Sequence, residues 1–465
     1  MKSKINILHP QNWGLTIGEN GRLLVNDQDT VLLAREYGTP LHILNEPRLL
    51  ASARRFREAC SSSYPGKTSV HYPFKCNSVP HVVEIIHSAG LYTEVMTKFE
   101  LELALFTGYR GKEIIVNGPC KPFSFLQSCF DSAVRFIVID SLQELADIDS
   151  IASSREQIMD IVLRVNPDYV PRGMNYGSAT GSRRGSVFGL DLKGGEIKAA
   201  MGLLQGNPRL NFQGFHFHIG TGIRSPKDYA HALRILPTLI SETDAAGFNI
   251  KILDIGGGFA SATTREFTNS ELLLYQGFSK LPKFNFEDTG LSYEEFTIEI
   301  SNAVQKYFSL TELPELIFEP GRCITSPNQF LLLTVHGIKE RSGTRKWLIT
   351  DGGLGTVTLP TYYEYHELFL CNDVLRPRDE NVDIIGPACF AGDIVYRNKP
   401  MPEISAGEVI AIMDSGAYFT QLESSFGFPR PAIVAVGKDG HQLIRTRETF
   451  DTMLQRDIIT KHNKG

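Results

Sequence analysis

The chain lacks any uninterrupted apolar run of about 18–20 residues, the length that a membrane-spanning helix needs. We expect no signal peptide in its first residues, because only a brief apolar patch, INIL, precedes His9 and Pro10. It also lacks long runs of lysine or arginine, and a net charge of −5 argues against a general nucleic-acid binder. We therefore expect a cytoplasmic protein that binds neither a membrane nor nucleic acid.

Cysteine motifs are absent as well. The seven cysteines are odd in number and form no CxxC pair, which fits a reducing compartment and argues against a disulfide framework or a structural zinc site. With no cluster of histidines and carboxylates at ligand spacing, we expect no metal site. The remaining composition is that of an ordinary globular protein, and 465 residues suggest two domains.

From residue 69 onward, short apolar strands alternate with segments of helical periodicity. Eight strands are predicted, at 69–74, 92–96, 113–117, 136–140, 160–165, 212–219, 250–255 and 315–320. This alternation is typical of a parallel (β/α)8 barrel.

After about residue 325, strands follow one another through turns, which predicts a mostly antiparallel β-domain. The strand-rich N-terminal segment is expected to complete that domain. The fold class is therefore α/β plus β, with an N-terminal segment at 1–42, the barrel at 43–324 and the C-terminal β-domain at 325–465.

Lys75 stands at the end of the first predicted barrel strand, in the stretch HYPFKCNSVP. Burying an ammonium group is costly unless it is paired or neutralised. A lysine that forms a Schiff base needs such desolvation to lose its proton. A strand-end lysine that simply reaches solvent is the alternative.

The other seven strand ends bear on this choice, because barrel chemistry sits at the carboxyl ends of the strands. All of them carry polar, ionisable or glycine residues: Glu94, Asn117, Asp140, Arg164, His216 with His218 and Thr221, Gly256–Gly258, and Glu319 with Gly321 and Arg322. Taken singly, the histidines could be structural or half of a metal site, and a glycine cluster is a weak signal.

Together, however, these ends predict a pyridoxal phosphate site with Lys75 as its covalent anchor. Successive glycines let backbone amides approach a phosphate closely. A buried Glu319 needs a proton or a cationic partner, and a protonated pyridine nitrogen would serve.

The sequence resembles the fold-type III pyridoxal phosphate-dependent decarboxylases, the group of diaminopimelate and ornithine/arginine decarboxylases. Matching segments run in family order along nearly the whole chain: YPFKCN (72–77), EVMTKFEL (94–101), NGPCK (117–121), LRVNP (163–167), HFHIGTG (216–222), IGGGF (255–259), EPGR (319–322), GPACFAGD (386–393) and DSGAY (414–418). The resemblance implies pyridoxal 5'-phosphate as cofactor, an amino-acid substrate and a homodimer with shared active sites.

The resemblance also implies residue roles. Lys75 would carry the cofactor, His218 would stack on its ring, and Cys389 of the other subunit would protonate the substrate carbon. The implied cofactor-binding residues are Lys75, Glu94, Arg164, His218, Thr221, Gly257, Gly258, Glu319, Gly321, Arg322 and Tyr418. The implied substrate-binding residues are Arg322, Tyr363, Phe390, Asp393 and Tyr418.

Two recognition positions depart from the family. Phe390 stands where the family has an acidic residue that binds the distal amine of the substrate, and Leu359 stands where the diaminopimelate enzymes have an arginine. We therefore predict decarboxylation of an amino acid or conjugate whose side chain is apolar, acylated or much larger, as in siderophore or other specialised biosynthesis. An Arg-rich insertion at 168–186 either contacts an acidic part of the substrate or is a solvated loop.

Two alternatives stay open. One is a racemase or epimerase on the same scaffold, although Glu319 favours decarboxylation because it keeps the ring nitrogen protonated. The other is a non-catalytic cofactor-binding homologue, against which the presence of both Lys75 and Cys389 counts.

Overall fold

The computed structural model describes residues 9–174, 177–283, 292–357 and 360–458. Leu359 lies outside the described residues. The chain divides into two compact units. The barrel unit spans Arg48–Leu272 and Asn285–Ser326, and the β-unit spans Met1–Pro47, Leu273–Phe284 and Pro327–Gly465. The segment Leu273–Phe284 thus belongs to the β-unit, although it lies within the range predicted for the barrel.

The barrel unit contains a closed ring of eight parallel strands, which confirms the predicted fold class. The strands are β1 (Thr68–Pro73), β2 (Tyr92–Val95), β3 (Ile114–Val116), β4 (Phe136–Ile139), β5 (Met159–Asn166), β6 (Leu210–Phe217), β7 (Ile252–Asp254) and β8 (Glu315–Phe318). Each pairs in parallel with the next, and β8 pairs with β1 to close the ring.

Helices and short elements connect these strands. The helices are Glu46–Ser63, Pro80–Ser88, Lys98–Phe106, Phe123–Asp131, Leu142–Arg155, Glu196–Leu204, Pro226–Ala232, Leu236–Ala245, Asn269–Phe278, Tyr293–Gln305 and Arg322–Thr325. Short 3-10 turns lie at Gly111–Glu113 and Leu233–Ile235, and two-residue strands at Leu190–Asp191 and Arg265–Glu266.

Side-chain caps fix several turns that follow the strands. Thr97 and Ser141 each accept a hydrogen bond from the backbone N–H of the third residue in the helix that follows. Such caps satisfy a backbone donor that would otherwise lack a partner. They hold the strand-to-helix turns at the carboxyl ends of β2 and β4.

The barrel interior changes from apolar to polar at one level. Its apolar core comprises Ile115, Phe136, Val138, Val162, Ile252 and Ile317. Two residues further along the strands, on the same inward face, Arg164, His216 and Asp254 stand in register on β5, β6 and β7. Because every second strand residue faces the same side, this layer puts polar groups at the carboxyl mouth of the barrel.

The β-unit is built on a mostly antiparallel sheet. Its strands are Leu15–Ile17, Leu23–Val25, Gln28–Asp29, Leu41–Asn45, Gln329–Arg341, Arg345–Thr350, Glu364–Tyr365, Leu368–Leu370, Glu380–Ile385, Ile394–Met401, Val409–Ile412, Ala432–Val436 and His441–Arg445. Its short helices and turns are Pro10–Trp13, Thr30–Tyr37, Ser326–Asn328, Leu354–Val357, Pro360–Tyr363, Phe419–Leu422 and Phe450–Leu454.

The N-terminal segment does complete this sheet, as predicted. Leu41–Asn45 lies between Gln329–Arg341, with which it pairs antiparallel, and Ala432–Val436, with which it pairs in parallel. Nowhere in the described ranges is a helix both long enough and apolar enough to cross a bilayer.

Candidate active site

Lys75 follows β1 and is held by a buried carboxylate. Its Nζ lies 2.7 Å from Oε2 of Glu94, which stands on the neighbouring strand β2. The Lys75 side chain is 33% exposed and that of Glu94 only 1%. Burial raises the pKa of Glu94 to about 7, against the opposing charge of Lys75. Lys75 is therefore directed toward a buried acid at the barrel mouth, in contrast to the alternative of a lysine that simply reaches solvent.

Arg164 is a buried cation of this region. It projects from β5, and its Nη1 lies 3.4 Å from Oδ1 of Asp140. Its guanidinium also lies 4.4 Å from the ring centroid of Phe188. Burial lowers the pKa of Arg164, although the carboxylates around it oppose that effect.

His218 follows β6 with a neutral imidazole. Loss of water around its ring, together with the charges of Arg164 and Lys75, lowers the pKa of His218 to about 3. The backbone N–H of Gly257 donates to His218 Nδ1 at 3.3 Å, so the remaining ring hydrogen resides on Nε2. Such a ring is suited to stacking on an aromatic cofactor without adding charge.

The glycine loop after β7 lies against the loop after β6. A Cβ on Gly258, whose φ is +94°, would come within 2.0 Å of the carbonyl oxygen of Gly220. A Cβ on Gly257 would come within 2.3 Å of the carbonyl oxygen of Glu319. Close packing of the loop backbones therefore requires glycine here, besides any approach of a phosphate. Thr221, the predicted phosphate contact, lies next to Gly220 in the adjoining loop.

Glu319 follows β8 and is almost fully buried, with 3% of its side chain exposed. Its Oε1 lies 3.5 Å from both His216 Nε2 and Asn117 Nδ2. Gly321 leaves little room, since a Cβ there would lie 3.1 Å from side-chain atoms of Pro73 and Cys76. Arg322, also buried, lies 3.9 Å from Glu266 through Nη2.

One residue of this buried polar cluster, Asp254, was missed in the sequence analysis. His216, Asp254 and Glu319 place one potential ligand atom each within 4.8 Å of one another. Asp254 was absent from the predicted site. Only the alternation of inward and outward side chains along β7 could have indicated it, because Asp254 is in register with His216 on the inward face.

The other predicted residues belong to the β-unit. Cys389 and Phe390 are exposed in the loop that ends at Asp393. Asp393 is buried, and its carboxylate accepts hydrogen bonds from the backbone N–H groups of Leu354 at 2.6 Å and Ala388 at 2.7 Å. These bonds give Asp393 a role in shaping the loop that carries Cys389 and Phe390.

Tyr363 and Tyr418, the remaining predicted contacts, also lie in the β-unit. Tyr363 ends the helix Pro360–Tyr363, and Tyr418 precedes the helix Phe419–Leu422 with φ of +67°. A non-glycine residue in this left-handed region is uncommon and is often found at functional sites. The barrel unit thus assembles the predicted cofactor-binding residues up to Arg322, and the β-unit carries the others.

Residues 50–326 match the family described as "Pyridoxal-dependent decarboxylase, pyridoxal binding domain". The chain belongs to this family. It is a pyridoxal phosphate-dependent amino-acid decarboxylase, a carboxy-lyase.

Relatives of this decarboxylase extend over nearly its whole length. The chain is 30% identical to a diaminopimelate decarboxylase of Methanothermobacter thermautotrophicus, with 95% of this chain and 96% of the relative covered. It is 27% identical to that of Bacillus subtilis, covering 95% and 97%. The solved diaminopimelate decarboxylase of Methanocaldococcus jannaschii superposes with a TM-score of 0.83 at 26% identity, covering 97% of this chain and 99% of that one.

Proposed function

We propose that this decarboxylase acts on an amino acid or amino-acid conjugate whose side chain is apolar, acylated or larger than that of diaminopimelate, in siderophore or other specialised biosynthesis. One observation carries the proposal. Phe390, at the position where the resemblance implies an acidic residue, is 51% exposed, and its ring centroid lies 6.1 Å from that of Phe426. This aromatic pair offers apolar surface and no acceptor for a distal ammonium group.

The barrel residues supply the chemistry common to the family. When bound, pyridoxal phosphate withdraws electrons from the carbon that loses carbon dioxide. We propose that Arg164, His218, Thr221, Gly257, Gly258, Gly321 and Arg322 hold it, with Glu319 beside its ring nitrogen. The buried carboxylate of Glu319 favours a protonated nitrogen there, which supports decarboxylation over racemisation.

Lys75 and Glu94 form the proton-handling pair in this proposal. A proton moving from Lys75 Nζ to Glu94 Oε2 crosses a 2.7 Å hydrogen bond. The pKa of Glu94, raised to about 7, lies closer to that of an ammonium group than the pKa of an exposed glutamate does, so the transfer costs less here. The neutral amine of Lys75 is then a competent nucleophile.

We also propose a cytoplasmic homodimer in which Cys389 of one subunit serves the barrel of the other. Two features support this. All seven cysteines are free thiols, as in a reducing compartment, and Cys389 is among the exposed ones. Mixing Lys75→Ala with Cys389→Ala protein after dissociation should restore activity that neither variant has alone, whereas no recovery would contradict shared sites.

The substrate proposal is tested by carbon dioxide release. Purified holoenzyme is supplied with diaminopimelate, lysine and ornithine, and with Nε-acylated lysine and apolar amino acids, and exchange of the α-hydrogen with deuterated water is followed in parallel. We expect the fastest release from an acylated or apolar substrate. Preference for diaminopimelate would contradict the substrate proposal, exchange without carbon dioxide would indicate a racemase or epimerase, and neither reaction would indicate a non-catalytic homologue.

A further inference from the structure

Two buried carboxyl groups, those of Asp254 and Glu319, face each other at the carboxyl mouth of the barrel. Asp254 ends β7, in register with Ile317 of β8, and Glu319 lies two residues beyond Ile317 on the same inward face. Asp254 is fully buried, at 0% exposure, and Glu319 is at 3%. One carboxyl oxygen of Asp254 and one of Glu319 lie within 4.8 Å of each other. Two ionised carboxylates so close together in a medium of low dielectric constant repel each other strongly.

Among the described residues, only one of the two carboxyl oxygens of Asp254 accepts a hydrogen bond from a donor. The backbone N–H of Gly256 donates to Asp254 Oδ1 at 2.9 Å. In the described part of the chain, no N–H or O–H donates to Oδ2. A buried carboxylate oxygen without a donor costs the full desolvation of its charge, whereas a protonated Oδ2 would itself be a donor.

His216, on the adjacent strand β6, does not supply a charge to this pair. The backbone N–H of Gly118 donates to Asn117 Oδ1 at 2.8 Å, which fixes the orientation of the Asn117 amide. Its Nδ2 then donates to His216 Nε2, 3.1 Å away, so that the imidazole hydrogen is on Nδ1. Burial, the main effect on His216, lowers its pKa and agrees with a neutral ring.

Two cations of the barrel mouth, Lys75 and Arg164, are engaged with other carboxylates. Lys75 is bonded to Glu94 at 2.7 Å, and Arg164 is paired with Asp140 at 3.4 Å. Burial first, and then the charge of Glu319, raise the pKa of Asp254 well above its usual range, and Glu94 adds to that effect. A single shared proton therefore satisfies the two facing carboxyl groups.

We propose that Asp254 is a neutral carboxylic acid in the folded protein and that its Oδ2–H donates a hydrogen bond to Glu319. Asp254 is then a positioning residue that keeps Glu319 ionised and correctly oriented. The functional consequence rests on the proposed role of Glu319 beside the cofactor ring nitrogen. The protonation itself is a property of the protein without cofactor and can be tested separately.

Infrared difference spectroscopy of the cofactor-free protein tests the protonation. At mildly alkaline pH, the wild-type protein minus Asp254→Asn should show the C=O stretch of a protonated carboxylic acid. The matched control is Asp383→Asn, since Asp383 is buried but ion-paired with Arg345 at 2.8 Å and should contribute only carboxylate bands. Isotope labelling of aspartate carboxyls in wild-type protein should shift the same band, and this measurement needs no variant to fold.

The proposal would be overturned if the wild-type minus Asp254→Asn spectrum contained only carboxylate bands. It would also be overturned if labelling of the aspartate carboxyls shifted no carboxylic acid band. A divalent cation found by native mass spectrometry on His216, Asp254 and Glu319 in place of the proton would overturn it as well.

In the holoenzyme, Asp254→Ala should lower kcat by roughly tenfold or more with little change in KM. Asp254→Asn, which keeps an N–H donor toward Glu319, should lose less, and equal losses would contradict the hydrogen bond. If wild-type protein decarboxylates nothing, the proposed function fails while the infrared result still stands.

Discussion

The barrel mouth and the Phe390 loop of the β-unit differ in how their predicted site residues are held. Lys75 and Arg164 are each bonded to a carboxylate, and Glu319 is almost completely buried. Phe390, by contrast, leaves half of its side chain exposed and has no polar atom to fix it. Under the proposed function, the chemical machinery is built into the barrel core, and substrate choice depends on surface side chains that can change without disturbing the fold.

The largest effect is expected from Lys75. Lys75→Ala should abolish decarboxylation and the covalent attachment of the cofactor, because no other described lysine is bonded to Glu94. Absorbance of the bound cofactor and carbon dioxide release measure the two effects. Lys198→Ala, on an exposed helix position, is the control, and covalent attachment that persists in Lys75→Ala would refute the assignment.

A smaller loss is expected at Glu319. Glu319→Gln removes the charge beside the ring nitrogen and should lower kcat by about 10²–10³, as for other preorganised electrostatic groups. Steady-state kinetics on the preferred substrate give the value. Glu102→Gln on the exposed helix Lys98–Phe106 should have no effect, and a kcat unchanged in Glu319→Gln would remove Glu319 from the mechanism.

Asp393 tests the other side of the comparison. Asp393→Ala leaves the backbone N–H groups of Leu354 and Ala388 without their acceptor and should lower the free energy of unfolding by about 1.5–3 kcal/mol. Urea unfolding measures this loss, with exposed Asp439→Ala as control. Because Asp393 holds the loop that carries Phe390, the variant should also have a raised KM. An unchanged KM together with unchanged stability would show that this carboxylate does not shape the loop.

The last prediction is a pH dependence at Glu94. Its pKa in the folded protein is raised to about 7 and so exceeds the unfolded value of about 4.3. The stability that the protonated acid contributes is therefore present below about pH 4.3 and is lost as the pH rises toward about 7, with a slope of at most about 1.4 kcal/mol per pH unit. Wild-type protein compared with Glu94→Gln across this range should show the decline, and parallel stability curves would contradict the raised pKa.

The fold was predictable because each barrel strand is a short apolar run that ends on a polar or glycine residue. The first predicted strand, 69–74, is observed at Thr68–Pro73, and the closing pair of β8 with β1 follows from the count of eight. The antiparallel unit was predictable in kind, although the pairing of Leu41–Asn45 with two distant strands depends on tertiary contacts.

The site was predictable only where a residue type was unusual for its place. Lys75 and the three successive glycines signalled chemistry because stability alone seldom selects them. Asp254 gave no such signal, since an aspartate at a strand end is ordinary and its facing partner, Glu319, is distant in sequence. The role of Asp393 in its loop likewise depends on backbone donors that only the folded chain brings to it.

The central claim, that barrel chemistry is separable from substrate choice at Phe390, is tested most directly by one ratio. This is kcat/KM for an acylated or apolar amino acid divided by kcat/KM for diaminopimelate, measured in wild-type protein, in Phe390→Glu and in the exposed control Phe450→Glu. We predict a ratio above one for the wild type and the control, and a shift toward diaminopimelate in Phe390→Glu at nearly constant cofactor binding. A wild-type ratio below one, or the same ratio in all three proteins, would contradict the account.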